Sequence, residues 1–195
     1  MARSTTDTNE TMNIFYLDHD PKVCAEMHND KHCIKMILEY AQLLSTAHRV
    51  LDGTLSVGLS ASGRKKTSYV LMDQREPVLY SATHINHPSA IWVRQSYANY
   101  VWLYHMWVAL MAEYTYRYGK IHACVKLEDE LMYPPTNIPA FPKFTQPTPA
   151  MPDEVKVAGD SIASYKNYYI SNKQHLASWQ GKINSRPVPN WFQTS

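Results

Sequence analysis

Prolines are concentrated in one stretch of the chain, and this limits where regular structure can form. Seven of the twelve prolines lie between Tyr133 and Pro152. Proline removes a backbone donor and its ring clashes with the preceding turn, so this stretch can form neither a regular helix nor a central strand. We expect it to wrap the surface in an extended form. Regular structure must therefore come from the residues on either side.

Two helices are predicted near the N-terminus. Asp20 followed by Pro21 is typical of a helix start, because the aspartate accepts from backbone amides and proline fits the first turn. Asp30 is expected to cap a second helix after a short interruption. That helix is predicted to run to about Leu51, and Gly53 supplies the stop.

A further long helical region is predicted over Ser89–Tyr118, between the pair His87-Pro88 and Gly119. Its stretch Gln95–Ala112 carries no formal charge, but it includes an asparagine and a histidine. A membrane span needs about 20 mostly apolar residues. We therefore expect a buried helix rather than a membrane anchor.

Three other segments have recognisable patterns. Thr54–Thr67 is rich in glycine, serine and basic residues and is expected to be a mobile loop. Asn13–Leu17 is a short apolar run that can enter the core as an extended segment. A last helix is predicted from Asp160 or Ser161 to about Trp179, and the aromatic C-terminal tail is expected to pack back onto the body.

The composition favours one domain. The chain has 195 residues, of which 45% are apolar, so it can bury a sizeable core. Residues 1–11 are polar and are expected to be a disordered leader, with translation starting at Met1 or at Met12. We predict a mainly α, compact single-domain helical bundle over residues 12–195, with a long proline-rich surface segment.

Charge and cysteine usage argue against several function classes. A net charge of +2 gives no polyanion-binding tail, so a nucleic-acid interface would have to rest on local clusters. Three cysteines without a C-x-x-C spacing argue against a disulfide framework and favour a reducing cytoplasm. The histidine and cysteine spacings predict no metal site, and no phosphate-binding loop, dinucleotide or nucleophile-elbow motif indicates a cofactor.

The predicted helix Lys31–Leu51 is apolar over most of its circumference at about 100° per residue, with Ile34 and Leu38 on one apolar face. What remains is a narrow polar stripe with one histidine beside it. The stripe consists of Lys31, Lys35, Glu39, Gln42, Thr46 and Arg49, and the flanking histidine is His32. It is either a solvated edge held by a Lys35–Glu39 pair or one wall of a polar cleft.

A second polar stripe lies on the predicted helix Ser89–Tyr118. It consists of Gln95, Asn99, Trp102, Met106, Ala109, Glu113 and Arg117. Glu113 and Arg117 form either an ion pair at the helix end or part of a site. In such a site a carboxylate, a guanidinium, an amide and an indole would hold a phosphate, a sugar and a base. We predict that the two polar stripes converge on one cleft.

Two segments carry a resemblance to known families. They are Asn29-Asp30-Lys31-His32 through Glu39-Tyr-Ala-Gln-Leu-Leu, and His87-Pro-Ser-Ala-Ile-Trp through Glu113 to Arg117-Tyr-Gly-Lys. With them the chain resembles, from Asn13 to its C-terminus, a family of small uncharacterised bacteriophage proteins. The order of its parts is also similar to that of the phage pyrimidine-dimer DNA glycosylases, which are compact all-α proteins.

The resemblance to the glycosylases implies roles for particular residues. Lys31 and Lys35 stand where that family has two arginines that grip DNA phosphates. His32 stands at the position of the family's catalytic glutamate, and Glu39 lies two turns further along. That family also uses the α-amine of a threonine exposed by removal of the initiator methionine, whereas here eleven residues precede Met12.

The leading hypothesis is a phage nucleic-acid enzyme, a hydrolase resembling base-excision DNA glycosylases, that acts on a flipped nucleotide in the cytoplasm of the infected host. Its predicted catalytic residues are Glu39, His32 and Glu113, with the histidine carrying a proton near neutral pH. Its predicted phosphate- or ligand-binding residues are Lys31, Lys35, Gln42, Asn99, Trp102 and Arg117. The basic cluster Arg64, Lys65 and Lys66 is predicted to contact the DNA backbone.

Two other function classes stay open. One is a nucleotide-binding protein that sequesters or hydrolyses a small phosphorylated signalling ligand, which the near-neutral net charge favours over duplex binding. The other is a non-enzymatic interaction protein in which tyrosine and tryptophan side chains form a homo-oligomer interface.

Overall fold

The computed structural model describes residues 12–59 and 61–192, and the regular structure within them is mainly α-helical, as predicted. Its helices are α1 (Pro21–Met27), α2 (Asp30–Asp52), α3 (Pro88–Gln95), α4 (Tyr97–Tyr118), α5 (Glu128–Leu131) and α6 (Ser161–Asn172). Its strands are β1 (Thr54–Leu59) and β2 (Lys65–Val70), and short 3₁₀ helices cover Ala123–Leu127, Asp153–Val155 and Gln174–Leu176. The predicted leader, residues 1–11, lies outside the described residues.

Local sequence signals set the ends of α1 and α2. The Asp20 side chain accepts hydrogen bonds from two backbone amides of the first turn of α1, which confirms the predicted start at Pro21. The cap of α2 is Asn29 rather than Asp30, because the Asn29 side chain accepts from the third amide of the helix. The predicted stop of α2 at Gly53 is confirmed.

The centre of the core is formed by α2 and α4. Tyr100, near the start of α4, contacts His48, near the end of α2. Trp107, further along α4, donates its indole N–H to the carbonyl oxygen of Ile37, nearer the start of α2. The two helices therefore run antiparallel, and α1 and α3 pack against α4.

The N-terminal segment passes through this core without regular secondary structure. Residues 12–17 are at most 2% exposed, which confirms the predicted entry of Asn13–Leu17 into the core. The backbone N–H of Phe15 donates to the Tyr40 hydroxyl of α2, and the Phe15 ring stacks on His32. A buried extended segment needs such side-chain partners because it has no neighbouring strand.

Two predicted elements are interrupted in the structure. The predicted helix Ser89–Tyr118 is broken at Ser96, which has extended backbone angles and caps α4 by accepting from the Asn99 amide. The predicted last helix ends at Asn172 instead of Trp179, because the Trp179 indole turns back to donate to the Met27 carbonyl oxygen. Both breaks bring distant segments into contact.

The predicted mobile loop at Thr54–Thr67 is wrong. The antiparallel strands β1 and β2 form a hairpin there, with Thr54 opposite Val70 and Leu59 opposite Lys65. All residues of β1 are exposed, so no alternation of buried and exposed positions marks the strand. The proline-rich residues 133–152, by contrast, contain no helix or strand.

Candidate functional site

Glu39, on α2, is a largely enclosed carboxylate with two nitrogen partners. The backbone N–H of Met12 donates to Oε2 over 2.8 Å, and Lys35 Nζ lies 3.2 Å from Oε1. The Glu39 side chain is 11% exposed, whereas that of Lys35 is 41% exposed. The carboxylate thus has the backbone of Met12 on one side and a partly exposed ammonium group on the other. A charge in such a place interacts more strongly with a nearby reacting group than a fully solvated one.

The Met12 nitrogen is held at Glu39 by the residues that follow it. The Asn13 side chain donates to the Ala150 carbonyl oxygen over 2.8 Å and accepts from the Tyr165 hydroxyl. Met12 itself has φ of 76°, in the left-handed region that L-residues avoid. Such a conformation costs about 1–3 kcal/mol and is retained only where surrounding contacts fix it. The backbone is therefore bent to direct this nitrogen at the carboxylate.

His32 lies behind this pair and is 5% exposed. Its ring stacks on Phe15 with a centroid distance of 4.1 Å, and Nδ1 lies 2.6 Å from the Tyr169 hydroxyl. Burial, assisted by the positive charge of neighbouring groups, holds the pKa of His32 well below its usual value. His32 is therefore neutral at pH 7, which corrects the expectation that it carries a proton near neutral pH.

Two exposed lysines lie on the same helix as Glu39. They are Lys31 and Lys35, and their positive charges contribute to the lowered pKa of His32. Exposed lysines one helical turn apart are suited to contact a polyanion such as a nucleic-acid backbone.

The rest of the first polar stripe has other environments. Gln42 is half-buried, one turn beyond Leu38. Arg49 is buried, and its guanidinium donates to the carbonyl oxygens of Tyr69, Leu79 and Tyr80 and to Glu76. Arg49 therefore fixes the segment after β2 to α2.

Glu113 and Arg117 form a second, enclosed centre. Arg117 is fully buried, and its Nε donates to Glu113 Oε1 over 2.6 Å. Its two Nη atoms donate to the carbonyl oxygens of Glu26 and His28 and to the Asp30 carboxylate. The other side of Glu113 receives a guanidinium, that of Arg186, with Nη2 2.9 Å from Oε2. These contacts join α1, α2, α4 and the C-terminal tail, and they leave the Arg117 guanidinium no exposed surface for a phosphate.

Asn99 and Trp102 connect α4 to neighbouring segments. The Asn99 amide donates to the Trp92 carbonyl oxygen, and its oxygen accepts from the Thr145 backbone N–H. The Trp102 indole donates to the His19 carbonyl oxygen over 2.8 Å. Among the described residues, the two predicted polar stripes share no hydrogen-bond or ion-pair partner. They form two separate polar centres.

The basic cluster predicted to contact DNA lies at the hairpin. Arg64 and Lys65 are exposed, Lys65 begins β2, and Lys66 follows it within the strand. The contribution of Met12 to the site could not be found from residue type, since only its backbone nitrogen takes part. The available signal was its position directly before the buried run Asn13–Leu17.

Comparisons with known proteins give no precedent for this arrangement. No protein-family model matches the chain, and neither a curated protein nor a solved structure is significantly similar to it. Within residues 12–59 and 61–192, no group of three or more histidine, cysteine, aspartate or glutamate side chains could hold a metal ion. No helix in this part of the chain is long and apolar enough to cross a membrane.

Proposed function

We propose that the protein is a DNA-processing enzyme of the base-excision type, which removes a base from a flipped nucleotide with Glu39 as its catalytic carboxylate. The observation that carries this proposal is the position of Glu39 between Lys35 Nζ and the Met12 nitrogen, on a helix that also presents the exposed Lys31. The order of parts is similar to that of the phage pyrimidine-dimer DNA glycosylases, with Lys31 and Lys35 at the positions of two phosphate-gripping arginines, and this similarity supports DNA as the substrate.

The chemistry of base removal suits a carboxylate of this kind. When the bond between C1′ and the base breaks, positive charge develops on the sugar, and a fixed negative charge nearby stabilises it. The low exposure of Glu39 limits competition from water. Lys31 and Lys35 are on the same helix and would hold the phosphates on either side of the flipped nucleotide.

The Met12 nitrogen determines which nucleophile is used. In the chain that starts at Met1 this nitrogen is an amide, so a water molecule would attack C1′ and give its proton to Glu39. In a chain that starts at Met12 it would be a primary amine 2.8 Å from the carboxylate.

The amine form would follow a covalent route. The nitrogen forms a bond to C1′ as the bond to the base breaks, and the base leaves with the electron pair and takes up a proton. Glu39 accepts a proton from the nitrogen. The C1′–O4′ bond then opens, O4′ takes a proton, and the nitrogen lone pair completes a C1′=N imine. Strand cleavage or hydrolysis of the imine would follow.

Turnover on lesion-containing DNA tests the proposal. Chains that start at Met1 and at Met12 are incubated with duplex oligonucleotides containing a thymine dimer or a uracil, and base release and strand cleavage are measured. We expect Glu39→Gln to lower turnover by about 10²-fold or more, because it keeps the shape but removes the charge and the proton acceptor. Glu154→Gln, at an exposed glutamate, is the control and should retain wild-type turnover.

The results that contradict the proposal are specific. Full turnover by Glu39→Gln would remove this carboxylate from the chemistry. If the wild-type protein processes none of these duplexes, the proposed base-excision activity is refuted. Tight binding of a free nucleotide by that inactive protein would support the nucleotide-binding alternative.

A further inference from the structure

The exposed side of α2 combines lysines with large aliphatic side chains. Ile34 is 45% exposed and Leu38 is 40% exposed, although the helical pattern placed both in the core. Lys31 and Lys35 are interleaved with them. At about 100° per residue, these four side chains lie within an arc of about 100°. We name this surface the α2 strip.

The α2 strip lies directly beside Glu39. Leu38 precedes Glu39 in the chain, so the two side chains leave the same turn about 100° apart. Ile34 lies one turn before Leu38, and such neighbours are about 5–6 Å apart between Cβ atoms. A single exposed aliphatic residue is ordinary on a protein surface, but a pair stacked along one helix beside an accessible carboxylate forms a continuous apolar ridge.

We propose that Ile34 and Leu38 form a wedge that enters the base stack of duplex DNA next to the nucleotide on which Glu39 acts. This inference rests on the proposed function. Base-flipping enzymes must unpair and unstack the target nucleotide, and aliphatic side chains can fill the space that it leaves. Because aliphatic groups need no hydrogen-bond partner, they can replace a stacked base at little desolvation cost.

Charge complementarity identifies duplex DNA as the occupant. Lys31 and Lys35 lie on the same strip as the wedge residues, so phosphates on either side of the gap would meet them. The wedge would keep the stack open while Leu38 and Glu39, as chain neighbours, place the gap and the carboxylate on the same turn. Binding of the DNA backbone to the lysines of the α2 strip would thus be coupled to the extrusion of one nucleotide.

A comparison of duplex and single-stranded substrates tests the wedge. The variants are Ile34→Ser, Leu38→Ser and the double variant, and the control is Ile91→Ser, at an isoleucine on α3 that is 44% exposed. Each is assayed on the same lesion strand, free and in a duplex, at one salt concentration. Since single strands need no extrusion, we expect the double variant to lose at least about tenfold more turnover on the duplex than on the single strand. Ile91→Ser should match the wild type on both.

A fluorescent base provides a second readout. With 2-aminopurine placed next to the lesion in the duplex, wild-type protein should increase the fluorescence because the neighbouring stack opens. The double variant should bind the duplex without this increase. Circular dichroism melting of each variant reports whether the fold is intact.

Each outcome decides between the wedge and the function on which it rests. Equal losses of turnover on both substrates would overturn the wedge. If the double variant also had a changed sedimentation coefficient, the α2 strip would be assigned to a contact between protein chains. No loss on either substrate, with an active wild type, would overturn the wedge and leave the proposed function standing. A wild type inactive on both substrates would overturn both.

Discussion

The two longest helices each carry a carboxylate and a cation spaced four residues apart, and the two pairs have opposite environments. Glu113 and Arg117 on α4 are enclosed, and every charged oxygen or nitrogen that they present is met by another protein group. Lys35 and Glu39 on α2 lie at the edge of the protein, with the lysine side chain 41% exposed and the glutamate side chain 11% exposed. The same spacing thus produces a fully enclosed clamp in one helix and a partly open charge pair in the other.

The difference comes from segments that are distant in the sequence. Arg186 of the C-terminal tail closes the open side of Glu113, and Asp30 closes Arg117. Within residues 12–59 and 61–192, the Glu39 carboxylate has a hydrogen bond from the Met12 nitrogen and an ion pair with Lys35. A helical charge pair is therefore a candidate site only when no other part of the chain completes its coordination, which a helical pattern alone does not reveal.

The largest expected effect is on stability. Arg117→Met should lower the free energy of unfolding by about 3–5 kcal/mol, because it removes one of the two guanidinium partners of the buried Glu113 and the donor to two backbone carbonyls and the Asp30 carboxylate. Lys35→Met, the matched change in the exposed pair, should cost no more than about 0.5 kcal/mol. Urea unfolding of both variants checks the comparison, and equal losses would show that the two pairs are alike.

The next largest effect is a loss of stability in acid, caused by two buried histidines. Burial lowers the pKa of His28 to about 4, and the Arg117 charge adds to this. Burial also lowers the pKa of His48 to about 4. In the unfolded chain both take up a proton near pH 6.5, so stability that is complete above that pH is lost as the pH falls towards 4. The loss is up to about 3 kcal/mol for each histidine.

Unfolding free energies measured between about pH 7 and pH 4.5 check this dependence. His105→Gln, at an exposed histidine, should follow the wild-type profile. His48→Gln should show a shallower slope. A wild-type stability that does not change over this interval would contradict burial of neutral histidines in the core.

The smallest expected effect is that of removing residues 1–11. These residues are polar and lack apolar anchors, so their deletion should change the melting temperature by no more than about 1–2 °C. The Met12 nitrogen would become charged and would still face Glu39. Differential scanning calorimetry of the two chains checks this, and a larger loss of stability would mean that the leader packs against the body.

Much of the helical structure follows from local signals. Asp20 with Pro21, and Gly53, mark helix ends because capping depends on a few adjacent residues. The hairpin of β1 and β2 could not be predicted from local sequence signals, because the exposed strand β1 has no alternation of buried and exposed residues. The break at Ser96 also escapes the pattern, because apolar residues continue on both sides of it.

The candidate site was predictable only in part. Glu39 and Lys35 belong to a polar stripe that the helical period reveals, but the period also placed Ile34 and Leu38 inside. The closure of Glu113 depends on Arg186, a tertiary contact 73 residues away in the chain. Helical periodicity gives the faces of one helix and not what covers them.

Reductive trapping tests the central claim, that the Met12 nitrogen and Glu39 form one reactive pair. A chain that starts at Met12 is incubated with lesion-containing duplex and cyanoborohydride, which reduces an imine to a stable amine, and peptide mass spectrometry locates the adduct. We expect a DNA adduct on the Met12 nitrogen that is strongly reduced in Glu39→Gln and absent from the chain that starts at Met1. No adduct, or an adduct on Lys35 instead, would contradict the pairing of this nitrogen with Glu39.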